Sequence, residues 1–221
     1  MKSSKILLFL FIPLVSFASK NDSLHIQLFG GTSLSTYYSN KVKISKNPIG
    51  YKFGCGISKE LKNNFIFNSN ISFQNISFTG IKTSIYDQYY YENVTLTTDI
   101  NFKQLCLSVE VNKCFSKVQI GVNTGIDYLI KSNTSQDVEG GTGLTALNIY
   151  DTHAISDYQK DSFYNTINPF LGISFSYFPS KKFGVRYENK FDILPSPSMN
   201  YQYFGKIYTF VSDMELIFKS N

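Results

Sequence analysis

Lys182-Phe183-Gly184-Val185-Arg186-Tyr187-Glu188-Asn189-Lys190-Phe191-Asp192-Ile193 separates, at every second residue, into two unlike faces. Phe183, Val185, Tyr187, Asn189, Phe191 and Ile193 form one; Gly184, Arg186, Glu188, Lys190 and Asp192 form the other. A period of two is the signature of an extended strand, whose successive side chains leave the pleat on opposite sides. Four consecutive charges on one face do not suit an oily core. They suit the wet interior of a barrel, with the aromatic and aliphatic face turned to lipid. The stretch reads as one strand of a small transmembrane β-barrel.

The same alternation recurs along the chain. Strands are expected at 24–36, 51–58, 65–78, 94–111, 118–131, 171–177, 182–193 and 208–218. Gly30-Gly31 in the first implies a bend or a close approach to a neighbour. In the fourth, Leu96, Thr98, Ile100 and Phe102 share one face, but farther on the apolar set is Leu105, Leu107, Val109 and Val111. That slip by one predicts a β-bulge or a sharp twist near Lys103-Gln104. The connections alternate between long and short, and outer-membrane barrels have long external loops and short periplasmic turns. The expected fold is all-β: an eight-stranded antiparallel up-and-down transmembrane barrel with both termini on the short-turn side.

The composition is consistent with this. The chain has 221 residues, 43% of them hydrophobic, with 16 Tyr, 20 Phe and no Trp. After the first twenty residues no apolar run is long enough for a membrane helix. The segment 1–18 has Lys2 and Lys5, an oily run from Ile6 to Val15, and then Ser16-Phe17-Ala18. That order is expected to be a cleavable export signal, leaving 19–221 as the barrel domain. Its two lysines, taken from a net charge of +5, leave +3. The lysines form no nucleic-acid patch, and no nucleic-acid partner is expected.

Charges converge on the polar face. Arg186, Glu188, Lys190 and Asp192, with Asp213 and Glu215 on the next strand, point inward, and Asp127, Asp99, Lys103 and Glu110 are expected to join them. Arg186 is the only arginine, and its planar guanidinium suits several carboxylates at once, so it is expected at the centre of a lumen salt-bridge network. Tyr86, Tyr89, Tyr90 and Tyr91 serve either as a recognition patch or as the upper aromatic girdle. Cys55, Cys106 and Cys114 are an odd number with no metal-ligand spacing, and are read as small, inert residues.

No catalytic, cofactor or metal site is expected. His153 and Ser156 lie near Asp151 and Asp157 in a long loop, but a spacing of three does not align a nucleophile, a base and an orienting group. Gly140-Gly141-Thr142-Gly143 lacks the lysine and the strand-to-helix context of a phosphate loop. The competing fold is a secreted lipocalin-like ligand-binding barrel, apolar inside and polar outside.

The stretches 105–111 (Leu-Cys-Leu-Ser-Val-Glu-Val), 118–129 (Val-Gln-Ile-Gly-Val-Asn-Thr-Gly-Ile-Asp-Tyr-Leu), 169–177 and Gly184-Val185-Arg186-Tyr187-Glu188 carry a resemblance. In their order the chain resembles the PorT-like family of outer-membrane β-barrel proteins, related in architecture to the OmpA-type barrel. It departs from that family in lacking a Pro at Ser108 or Val109. The resemblance implies the outer membrane of a Gram-negative cell, and for one member a part in a secretion apparatus. The function expected is non-enzymatic and structural, or interaction through loops 79–93 and 132–167 with an envelope or secretion partner, with outer-membrane lipid around the wall. A narrow pore is the weaker reading, because side chains fill an eight-stranded interior.

Overall fold

The alternating segments form eight strands in the computed structural model, which describes residues 24–38, 49–87, 92–139, 167–194 and 208–220. They are β1 (Leu24–Tyr38), β2 (Ile49–Leu61), β3 (Phe65–Asp87), β4 (Glu92–Phe115), β5 (Val118–Glu139), β6 (Ile167–Tyr177), β7 (Phe183–Asp192) and β8 (Tyr208–Lys219). Each strand pairs antiparallel with its chain neighbours, and β8 returns to β1 to close the barrel. This is the expected fold class.

One end is made of tight turns. Asn63 and Asn64, between β2 and β3, have positive φ, which asparagine tolerates better than most residues. Ser116-Lys117 joins β4 to β5, and 178–182 joins β6 to β7. Three backbone bonds tie these turns to one another and to the chain ends. Phe178 N donates to Lys117 O, Lys219 N to Lys182 O and Ser220 N to Ile26 O, all at 2.8 Å.

The wall is inside out relative to a soluble barrel. Leu24, Ile26, Leu28, Val122, Ile173 and Met214 face outward and are 57–61% exposed. Lys190, Asp213 and Glu215 face inward and are at most 1% exposed. A lipocalin-like arrangement would reverse these faces.

Higher up, the polarity of the two faces exchanges. On β3 the inward residues Asn68, Asn70, Ser72 and Gln74 give way to buried Ile76 and Phe78. On β4, reading upward, Glu110, Cys106 and Gln104 give way to Phe102 and Ile100, while the outward side changes from Leu105 to Lys103, Asn101 and Asp99. The changes are level with each other, since Gln74 pairs with Gln104 and Asn75 with Lys103. Tyr51 of β2 pairs with Asn75 and stacks with Phe53 and Phe73 in an outward aromatic cluster at that height.

This exchange corrects the reading of strand four. Its backbone does not slip: Ile100, Phe102, Gln104 and Cys106 all point inward, and the change from apolar to polar along that face mimics a change of phase. A bulge does lie opposite Lys103-Gln104, but the extra residue is Ile130 on β5, because Lys103 pairs with Lys131 and Gln104 with Leu129. Asp99 and Lys103 therefore do not point inward. Asp99 is exposed and its Oδ1 accepts the Gly80 N–H at 2.7 Å, where Thr79-Gly80 bulges from β3 between Phe78 and Ile81.

The expected loops also begin as strand. β3 runs on to Asp87, β4 starts at Glu92, and β5 runs on to Glu139. The described pairing of β2 with β3 reaches only Asn75, and that of β6 with β5 only Tyr128. Above that height, among the described residues, β3, β4 and β5 continue as a projecting three-stranded sheet. Its longest strand runs on for about twelve residues, roughly 40 Å at the rise of an extended chain. Residues 1–18, Tyr89, Tyr90, Tyr91, His153 and Ser156 lie outside the described residues. Tyr86 is in β3, paired with Asn93 of β4.

Candidate functional site in the barrel lumen

The lumen is stacked in layers. At the short-turn end Phe29, Phe178 and Ile217 pack together as a buried apolar floor. Above it lies a charged layer, and above that Phe170, Phe102, Ile76, Phe78 and Ile100 form an apolar cap, with Phe78 edge-on to Phe102.

Register builds the charged layer. Arg186 pairs directly with Glu215, and Glu188 with Asp213, across the β7–β8 seam. The Arg186 Nε donates to Glu215 Oε2 at 2.8 Å and Nη2 donates to the same oxygen, while Nη1 reaches Glu110 Oε2 at 3.2 Å. Glu110 is held in turn by Asn68 Nδ2 at 2.8 Å and by the Ser174 hydroxyl. Arg186 also lies over the Phe29 ring, 4.9 Å from its centroid.

The second hub is Lys52, an inward residue of β2 that is not among the charges expected in the network. Its ammonium lies 2.6 Å from Glu188, 2.9 Å from Asp213 and 2.7 Å from Glu215. The row explains the reach. Lys52 pairs with Gly31 of β1, and Gly31 pairs with Glu215 of β8, so no β1 side chain stands between them. A Cβ on Gly31 would overlap the Met214 carbonyl oxygen, which is the close approach that Gly30-Gly31 implied. On its own strand Lys52 is flanked inward by Gly50 and Gly54, so the row is open to an extended lysine.

Lys190 is the third cation. Its ammonium lies 3.6 Å from Asp127 Oδ2, donates to Gln74 Oε1 at 2.6 Å and sits over the Phe170 ring. Gln74 in turn donates to Asp213 Oδ1 at 2.9 Å, linking this group to Lys52. Asp192 is buried one inward position above Lys190 on β7. Thus Arg186, Glu188, Lys190, Asp213, Glu215, Asp127 and Glu110 come together, with Lys52 added. Among the described residues three buried cations face six buried carboxylates.

Chemically this layer is a plug. Glu188, Asp213 and Glu215 place carboxylate oxygens within 4.8 Å of one another, the kind of group that could take a cation. The Lys52 ammonium fills that position. Cys106 is buried with its sulfur 4.0 Å from the Lys190 ammonium, while Cys55 is exposed on the outer wall and Cys114 lines the short-turn mouth. Burying charge is costly without partners, and the interlocked hydrogen bonds and ion pairs offset much of that cost, although Asp127 Oδ1 and both amide atoms of Gln104 are buried without a hydrogen-bond partner.

No protein-family model matches the chain, and no curated protein matches it. Solved structures do resemble it. Neisserial surface protein A is 9% identical, with 91% of this chain and 100% of that one covered, at a TM-score of 0.43. The outer membrane protein OprG from Pseudomonas aeruginosa is 10% identical over 90% and 97%, at 0.41. Ail, the attachment invasion locus protein of Yersinia pestis, is 8% identical over 89% and 98%, at 0.37. At these identities and scores the likeness assigns no function.

Proposed function

We propose that the chain is an outer-membrane β-barrel without catalytic activity, whose role is contact with an envelope or external partner through the projecting sheet of β3, β4 and β5. The exchange of face polarity at one height carries this reading. On β3 and β4, below Gln74 and Gln104 the outside is apolar and the inside polar or charged; above them the outside is polar and the described inward residues Ile76, Phe78, Phe102 and Ile100 are apolar. Two solvents explain that more simply than one: lipid around the lower wall, water around the projection. The apolar belt on β3 runs from Phe65 to Phe73, close to the 9–11 residues that a transmembrane β-strand needs.

A resting pore is disfavoured by the plug and by the apolar cap over it. The PorT-like resemblance and a place in a secretion apparatus are not needed for this reading, and no feature of the described residues favours the latter. The partner is sought by placing a photo-crosslinking amino acid at Asp99 or at Ser135, both exposed on the projection. Discrete higher-mass adducts in irradiated whole cells are expected from these positions and not from Val122 in the belt. Absence of adducts from both would overturn the partner role and leave the barrel untouched.

A further inference from the structure

The short-turn mouth holds a cup that the lumen plug does not use. It is a cavity of about 570 Å³, and Phe178 among its lining residues belongs to the apolar floor that separates it from the charged layer. Three lysines line it, Lys117, Lys181 and Lys219, against one carboxylate, Glu60. The hydroxyls of Ser58, Ser116, Ser180 and Ser220 and the His25 ring add further polar atoms. The walls are built rather than incidental. The bonds from Phe178 N to Lys117 O, Lys219 N to Lys182 O and Ser220 N to Ile26 O join both turns, the C-terminal strand and β1 around the rim. His25 Nδ1 lies 3.1 Å from Ser220 O, and Ser220 Oγ accepts Ile26 N–H at 3.2 Å, extending that clasp.

Ammonium groups and hydroxyls converging on a blind cup are the donor set for an oxyanion. We propose that this cup binds a phosphate-bearing anion, with Lys117, Lys181 and Lys219 as its charge partners. The chemistry is shared by a free phosphate and by the headgroup of an anionic phospholipid at the rim. Lys219 is already oriented: its ammonium lies 4.3 Å from the centroid of the Phe178 ring on the cup wall, a contact that leaves its N–H groups available to an anion.

Cys114 supplies the readout, because it lines the same cup and is partly exposed. A Cys55→Ser variant in neutral detergent leaves Cys114 as the reporter, Cys106 being buried. Its labelling by an uncharged maleimide is followed with inorganic pyrophosphate, with phosphatidylglycerol, or with sodium chloride at matched ionic strength. At an anion concentration ten times its Kd, occupancy should slow labelling about tenfold. Protection is expected to vanish in the triple variant Lys117→Gln/Lys181→Gln/Lys219→Gln. It is expected to persist in a Lys103→Gln/Lys131→Gln control at the opposite end of the belt. Protection by pyrophosphate identifies a free phosphate as sufficient, and protection by phosphatidylglycerol alone identifies a headgroup. No protection by either, equal protection by chloride, or protection that survives in the triple variant would overturn the proposal. Heat-modifiable migration of each variant, boiled against unboiled, shows that the barrel is intact, so loss of the cup and loss of the fold are distinguishable.

Discussion

Lys52 shows how a single side chain depends on a row of others. Its ammonium is surrounded by Glu188, Asp213 and Glu215, and replacing it with an apolar group leaves three buried carboxylates facing one another. Lys52→Met is expected to destabilise the barrel by about 3–5 kcal/mol, the usual consequence of removing one partner of a buried ion pair. The urea midpoint of the detergent-refolded protein reads this, and an unchanged midpoint would show that the carboxylates do not rely on the lysine. Gly31 supplies a sharper contrast. A Cβ there would overlap the Met214 carbonyl oxygen, whereas one on Gly30 meets nothing closer than 3.6 Å. Gly31→Ala is expected to abolish the compact unboiled form and Gly30→Ala to leave it, as read by electrophoresis of the two variants. Equal behaviour would show that Gly31 makes no close approach to β8. That Lys52 faces inward is legible from the alternation of the stretch 51–58. Its place in the network is not, because that depends on which glycine of another strand lies in its row, and register is set only when the ring closes.

At the scale of strands, β7 and β8 were legible because each stays in one environment over its length. Alternation then reports the face directly, as with Arg186 and Glu215. β4 is harder to read because it crosses from one environment to another. Along β4 the polarity exchange mimics a slip of phase, and only the pairing with β3 and β5 separates the two. Phe29 was missed for a related reason: an aromatic in the lumen floor breaks a rule written for lipid-facing aromatics. The exchange makes a prediction on a single strand. Val122 in the belt and Asn133 in the projection both face outward and are exposed on β5. Val122→Lys is expected to destabilise by about 2–4 kcal/mol, the depth-dependent penalty for lysine near the middle of a bilayer. Asn133→Lys is expected to stay within about 0.5 kcal/mol, as for an ordinary surface change. Denaturant midpoints in lipid vesicles compare them; equal, small effects would mean that water bathes both positions.

Taken whole, the molecule is a closed barrel with a charged middle between two apolar layers, a projecting sheet at one end and a basic cup at the other. Eight strands leave an interior that side chains fill, and here they fill it with interlocked ion pairs. The intact protein is expected to show no steady conductance in a planar bilayer, and Arg186→Ala to introduce fluctuating openings by freeing Glu110 and Glu215. A steady open level in the unaltered protein would contradict the plug. The barrel is expected to stand in lipid with its apolar wall outward. That is tested most directly by separating inner and outer membranes and running the extracted protein in detergent, boiled and unboiled. A compact, fast band in the outer-membrane fraction that slows on boiling is the result this structure predicts. A single unshifted band in the soluble fraction would contradict it.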